Sequence, residues 1–115
     1  MLMLSKNDCE NISVDEAAKL LGRKDVVFLD VRTEKEHEWA RIPNSVLLNL
    51  YDPNFKNKAS LLDKSKKYVV YCRTGHRSLI ACKILRGLNL KVANMRGGIL
   101  EWIKKGYPVE RGEMR

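Results

Sequence analysis

Tyr68-Val69-Val70-Tyr71-Cys72-Arg73-Thr74-Gly75-His76-Arg77-Ser78 is the stretch around which this 115-residue chain is read. Apolar residues lead into a cysteine, a polar loop follows, and a helical pattern runs from Ser78 to Leu88. Ile80, Ala81, Ile84, Leu85 and Leu88 share the apolar face of that pattern. Strand, tight loop and helix N-terminus in this order can aim backbone N–H groups and the positive end of a helix dipole at one point. A cysteine at that point is expected to favour the thiolate. Arg73 and Arg77 add fixed positive charge, Thr74 and Ser78 offer hydroxyl donors, and Gly75 permits a backbone conformation that other residues resist. His76 could orient a substrate or exchange a proton, and its residue type equally suits an exposed loop position.

Outward from the loop, the chain alternates strand and helix signals. Ser13-Val14-Asp15-Glu16 has the spacing of a capping box and predicts a short helix after a strand near Asn11-Ile12. Val26-Val27-Phe28-Leu29 is continuously apolar and ends in Asp30, the pattern of a strand covered on both faces, as in a parallel sheet. Thr33 is an N-cap candidate for a helix over residues 34–40, and Arg32 is placed to pair with Glu36 across its first turn. Ser45 to Leu50 reads as a third strand, Ala59 to Leu62 as a short helix, Lys67 to Tyr71 as a fourth strand and Val92 to Met95 as a fifth. A last helix is expected over Ile99 to Lys105, stopped by Gly106 and Pro108. Trp39 and Trp102 are expected to pack rather than to meet substrate, and His37 is expected to be a partly buried helix residue. The result is one domain over residues 11–110, with a lead-in at 1–10 and a tail at 111–115.

Composition narrows the function classes. The net charge is +8, from 22 Lys+Arg against 14 Asp+Glu, which favours anionic partners. No arginine-rich tail, aromatic-interleaved basic patch or zinc-finger spacing points to nucleic acid. No run approaches the roughly 20 apolar residues of a membrane span and no signal peptide is expected; the expected location is a reducing cytoplasm. The three cysteines, Cys9, Cys72 and Cys82, lack Cys-x-x-Cys spacing and argue against a disulfide framework or a zinc site. Cys9 is expected to have no role, and Cys82 to be a core residue rather than a resolving thiol.

Three segments together resemble the rhodanese-like domain family. Phe28-Leu29-Asp30-Val31-Arg32, with Glu36 and Ile42-Pro43, is similar to its first signature. Tyr71 to Ser78 is similar to its active-site loop, and Gly97-Gly98-Ile99-Leu100-Glu101-Trp102 with Gly106-Tyr107-Pro108-Val109 to its C-terminal signature. The resemblance implies an α/β fold with a five-stranded, mainly parallel sheet and helices on both faces. It implies a sulfurtransferase in which Cys72 takes sulfane sulfur from a small anionic donor such as thiosulfate and passes it, as a persulfide, to cyanide, a thiol or a protein carrier. Arg73, Thr74, Gly75, His76, Arg77 and Ser78 would bind the donor and stabilise the persulfide. Asp30 and Arg32 would be structural residues near the site. No metal or organic cofactor is implied, and a monomer or small homo-oligomer is compatible. The chain departs from the family at His37, often aromatic, and at Ala40-Arg41, often Gly-His.

Two other readings stand beside this one. Phosphatases and arsenate reductases also use Cys-Arg loops, but with a longer spacing; here four residues separate Cys72 from Arg77, a smaller ring. Rhodanese-like domains also serve as non-catalytic binding modules, many of which lack the cysteine retained here.

Overall fold

The computed structural model describes residues 8–113. Five strands, β1 (Glu10–Ile12), β2 (Val26–Asp30), β3 (Val46–Leu47), β4 (Lys67–Tyr71) and β5 (Lys91–Met95), form one sheet in the order β1-β5-β4-β2-β3. Every pairing between them is parallel. The register Ile12↔Met95, Asp30↔Tyr71 and Asp30↔Leu47 brings the carboxyl ends of the strands to one edge. Ligands of open parallel sheets bind beyond such an edge. Cys72 lies one residue past the end of the central strand.

Continuous apolarity in β2 and β4 has a direct structural consequence. Leu29, Tyr68, Val70 and Cys72 face one layer, with Ala81, Cys82 and Leu85 of α4 (His76–Gly87) and Phe55 and Ala59 of α3 (Phe55–Ala59). Phe28, Val69 and Tyr71 face the other, with Ala17 of α1 (Val14–Ala18) and Ile99 and Trp102 of α5 (Gly98–Lys104). Trp102 is fully buried; its indole N–H donates to the Pro108 carbonyl at 2.8 Å and its ring meets Phe28 edge-on at 5.9 Å. The helix begun by Thr33 is α2 (Glu34–Trp39). The anticipated capping box of Ser13 with Glu16 is present, and the anticipated N-cap Thr33 forms a second box with Glu36.

Several local expectations change. The third strand is only Val46–Leu47, because the chain bends away through the turn at Asn49–Asp52. The short helix lies at Phe55–Ala59 rather than 59–62; its ends form a buried apolar pair four residues apart. On α4 the buried stripe is Ser78, Ala81, Cys82 and Leu85, which turns Ile80 to solvent. Small side chains let that stripe approach the sheet closely. Trp39, expected to pack, is exposed.

The cysteine reading also needs correction. Cys9 and Cys82 form a disulfide, with Cα atoms 5.9 Å apart and a sequence separation of 73. It ties the segment before β1 to the middle of α4, so the expected absence of a disulfide is overturned, Cys9 has a role and Cys82 is a cross-link as well as a core residue. A loop of this length belongs to the class of cross-links that stabilise by roughly 2–4 kcal/mol. Cys72 remains the free cysteine. Among the described residues, no helix is long and apolar enough to cross a membrane, and no group of acidic, histidine or cysteine side chains is placed to hold a metal ion.

Candidate active site

The loop from Cys72 to Gly75 curls around its own sulfur. Gly75 adopts φ +106°, a left-handed conformation that a β-carbon would disfavour. The turn directs the Gly75 N–H to Cys72 Sγ at 3.1 Å. It also starts α4 at His76, with the helix N-terminus beside the sulfur. The thiol is buried, Cys72 being 1% exposed, and its Sγ lies 3.3 Å from Ser78 Oγ. Burial is the largest influence on this group and pushes its pKa up. The Ser78 hydroxyl and the backbone N–H groups of Ser78, Gly75 and Thr74 outweigh it, leaving the thiol below its ordinary value. Backbone donors therefore do more here than any arginine.

Ser78 belongs to a chain of polar groups that no local motif announces. Its hydroxyl donates to Asn94 Oδ1 at 2.5 Å, and the Asn94 amide donates to Asn11 Oδ1 at 2.9 Å. Asn11 and Asn94 are register partners on β1 and β5. The chain thus runs from the sheet edge to the sulfur. Its one sequence signal is an asparagine inside the short apolar run Val92 to Met95, since a buried amide needs partners.

The two loop arginines are treated differently by the fold. Arg77 makes a bidentate pair with Glu36, at 2.8 and 2.7 Å. That pairing corrects the expected Arg32–Glu36 contact and leaves Arg77 as a clamp between α4 and α2 more than a free charge. Arg73 points outward and is exposed, as are Thr74 and His76. Thr74 contributes to the site through its backbone.

Below α2 sits a buried ionic cluster. Arg32 donates to both carboxylate oxygens of Asp30, at 2.8 and 2.7 Å, and to the Ala40 carbonyl at 2.5 Å. His37 Nδ1 lies 2.9 Å from Asp30 Oδ2. Burial acts to raise the Asp30 pKa, but hydrogen bonds from His37 and Arg32 prevail and hold it low. The Arg32 guanidinium also lies 5.6 Å from the centre of the Tyr71 ring. This cluster fastens α2 to β2 and β4 and so sets the position of Glu36. His37, expected to be partly buried, is a full member of it.

The clamp has a pH signature. Arg77 hydrogen bonding lowers the Glu36 pKa from 4.5 to about 2, against the opposing effect of burial. Between those values the unfolded chain binds more protons than the folded one, so this contribution to stability is complete above pH 4.5 and is lost as pH falls toward 2. Glu36→Gln is therefore expected to flatten the fall in stability between pH 4.5 and 2 relative to the unmodified chain, measured by urea unfolding across that range. Equal slopes would show that the pair does not contribute.

Known proteins resemble this chain over most of its length. A family model described as a rhodanese-like domain matches residues 13–105. A sulfurtransferase of Allochromatium vinosum is 32% identical over 108 residues, covering 93% of this chain and 95% of the relative. Thiosulfate sulfurtransferase 18 of Arabidopsis thaliana is 35% identical over 118 residues, covering 90% of this chain and 87% of that one. The crystal structure of a rhodanese-related protein from Thermoplasma volcanium superposes with a TM-score of 0.80 at 33% identity, covering 88% of this chain and 97% of the other.

Proposed function

The chain belongs to the rhodanese-like domain family, and from that premise we propose that it is a sulfurtransferase working through a persulfide on Cys72. The observation that carries the reading is the convergence of the Thr74, Gly75 and Ser78 backbone N–H groups, with the Ser78 hydroxyl, on one buried sulfur. Such a set stabilises an anion on sulfur, whether thiolate or persulfide, as an oxyanion hole stabilises oxygen.

The reaction has two halves. The Cys72 thiolate attacks the outer sulfur of thiosulfate, the S–S bond of the donor breaks, and sulfite leaves with the bonding pair. An acceptor nucleophile then attacks the outer sulfur of the persulfide, and the Cys72 thiolate leaves with the electron pair. With cyanide the product is thiocyanate. This is covalent, ping-pong catalysis. Arg73, exposed at the loop's outer rim, and the net charge of +8 favour the approach of an anionic donor. Ser78 can turn its hydroxyl from Asn94 to the sulfur as negative charge develops there. His76 and Thr74 face solvent, where an arriving donor or a protein acceptor would meet them.

Mass spectrometry of the protein after incubation with thiosulfate tests this directly. One additional sulfur on the peptide containing Cys72, removed by cyanide with release of thiocyanate, is the expected result. No added sulfur with any of thiosulfate, a thiosulfonate or a polysulfide would reject the reading.

A further inference from the structure

Beside the loop, between it and α2, lies a cavity of about 370 Å³ lined by Arg32, Lys35, Glu36, Trp39 and Arg73. Its volume is in the range of small organic ligands and is larger than thiosulfate or cyanide requires. The charges on its wall are unequal. Arg32 is neutralised by Asp30 and Glu36 by Arg77. Lys35 and Arg73 are exposed, and no ion pair joins either of them among the described residues. The wall thus carries two uncompensated positive charges.

The aromatic residue of the wall is held in place. Trp39 is 54% exposed, yet its position is set by the end of the chain. The Arg111 guanidinium lies 5.0 Å from the indole centre and donates to the Trp39 carbonyl at 3.2 Å. The Gly112 N–H donates to the Glu38 carbonyl at 2.7 Å, and Arg41 donates to the Gly112 carbonyl at 2.7 Å. An exposed indole fixed in this way, in one wall with two free cations, of which Arg73 directly follows the nucleophile in sequence, suits a ligand with an apolar body and an anionic group. Cations without the indole would suit inorganic anions, and the indole without cations would suit a neutral thiol.

We propose that this cavity is the subsite for an organic anionic thiol acceptor: its carboxylate lies between Lys35 and Arg73, its carbon skeleton rests on Trp39, and its sulfur reaches the Cys72 loop. The inference rests on the sulfurtransferase reading. In the transfer, the acceptor thiol ionises to solvent and its thiolate attacks the outer sulfur of the persulfide. The persulfide S–S bond breaks, Cys72 leaves as thiolate, and the acceptor becomes a persulfide. Lys35 and Trp39 are specificity residues in this scheme.

The test starts from protein carrying the persulfide. Its discharge is followed with thiosalicylate, 3-mercaptopropionate, neutral 2-mercaptoethanol and cyanide. Comparing each thiol's kcat/KM between unmodified and variant protein cancels differences in thiol reactivity. In Trp39→Ala the preference for thiosalicylate over 2-mercaptoethanol is expected to fall about tenfold, and Lys35→Gln should lower the preference for both carboxylated thiols by about the same factor. Unchanged preferences in both variants would overturn the proposal. That result would leave sulfur transfer itself intact. If neither cyanide nor any thiol discharges the protein, the sulfurtransferase reading fails instead. Binding is then decided separately in Cys72→Ser by titrating 2-(methylthio)benzoate, which cannot accept sulfur, and following the fluorescence of exposed Trp39 against the constant signal of buried Trp102. Saturable quenching that weakens in the added Lys35→Gln background sustains the subsite; its absence rejects it.

Discussion

Cys72→Ser is expected to lower thiosulfate-to-cyanide sulfur transfer by at least about 10³-fold while the protein remains folded. The two residues differ by one atom, and the loop has room for either. Serine can keep the contact with Ser78 and accept from the Gly75 N–H, so the local hydrogen bonds are not orphaned. What disappears is chemistry. The N–H groups that bring a thiol below its ordinary pKa cannot ionise a hydroxyl near neutral pH, and an oxygen cannot hold the transferred sulfur as a persulfide. Thiocyanate formation measures the loss, and thermal unfolding checks the fold. Activity within about tenfold of the unmodified protein, at equal stability, would remove Cys72 from its assigned role.

The second large effect lies outside the loop. Gly98→Ala should lower stability by roughly 3 kcal/mol and sulfur transfer by about 10²-fold. Gly98 opens α5 at φ +64°, and a β-carbon there would sit 2.7 Å from the Cys72 carbonyl oxygen and closer still to the Arg73 carbonyl. Both obstacles are backbone, so neither can swing aside. The same two carbonyls accept the N–H groups of Ile99, at 2.9 Å, and Leu100, at 3.2 Å. The start of α5 therefore holds the reactive loop from behind. A methyl group would push the loop off the helix and draw the Gly75 N–H away from the sulfur. Gly22→Ala serves as the control: φ is +87°, nothing lies within 4 Å, and only the backbone strain of about 1–2 kcal/mol is expected, without a change in turnover. If Gly98→Ala behaved like Gly22→Ala in the urea and thiocyanate assays, the packing of α5 against the loop would not set the site's geometry.

This contact explains why Gly97-Gly98 stands so far along the chain from the cysteine it supports. In the sequence the pair is legible only as part of a family resemblance. Its physical reason is a backbone approach between residues 72–73 and 98–100, which has no local signal. The converse holds for Ser13 with Glu16 and Thr33 with Glu36. Each is complete within one helical turn, where a cap depends on neighbours three residues apart, so the sequence shows the first as a full box and the second through its N-cap Thr33. Glu36 shows both regimes at once. Its capping role is local, whereas its partner Arg77 lies 41 residues away and replaces the nearby Arg32 that sequence spacing suggested.

By itself the sequence determined the alternation of strands and helices, a two-faced core, and a cysteine at the junction of a strand, a tight loop and a helix. These depend on periodicity, capping and glycine positions, all short-range properties of the chain. Only the tertiary structure decided which groups meet at that junction. The sheet order β1-β5-β4-β2-β3 places Asn11 and Asn94 behind Ser78, and the crossing of α2 over the loop brings Glu36 to Arg77. The fold likewise joins Cys9 to Cys82 and leaves Trp39 exposed beside two unpaired cations. Such pairings depend on how separate elements pack, so residue spacing along the chain could not specify them.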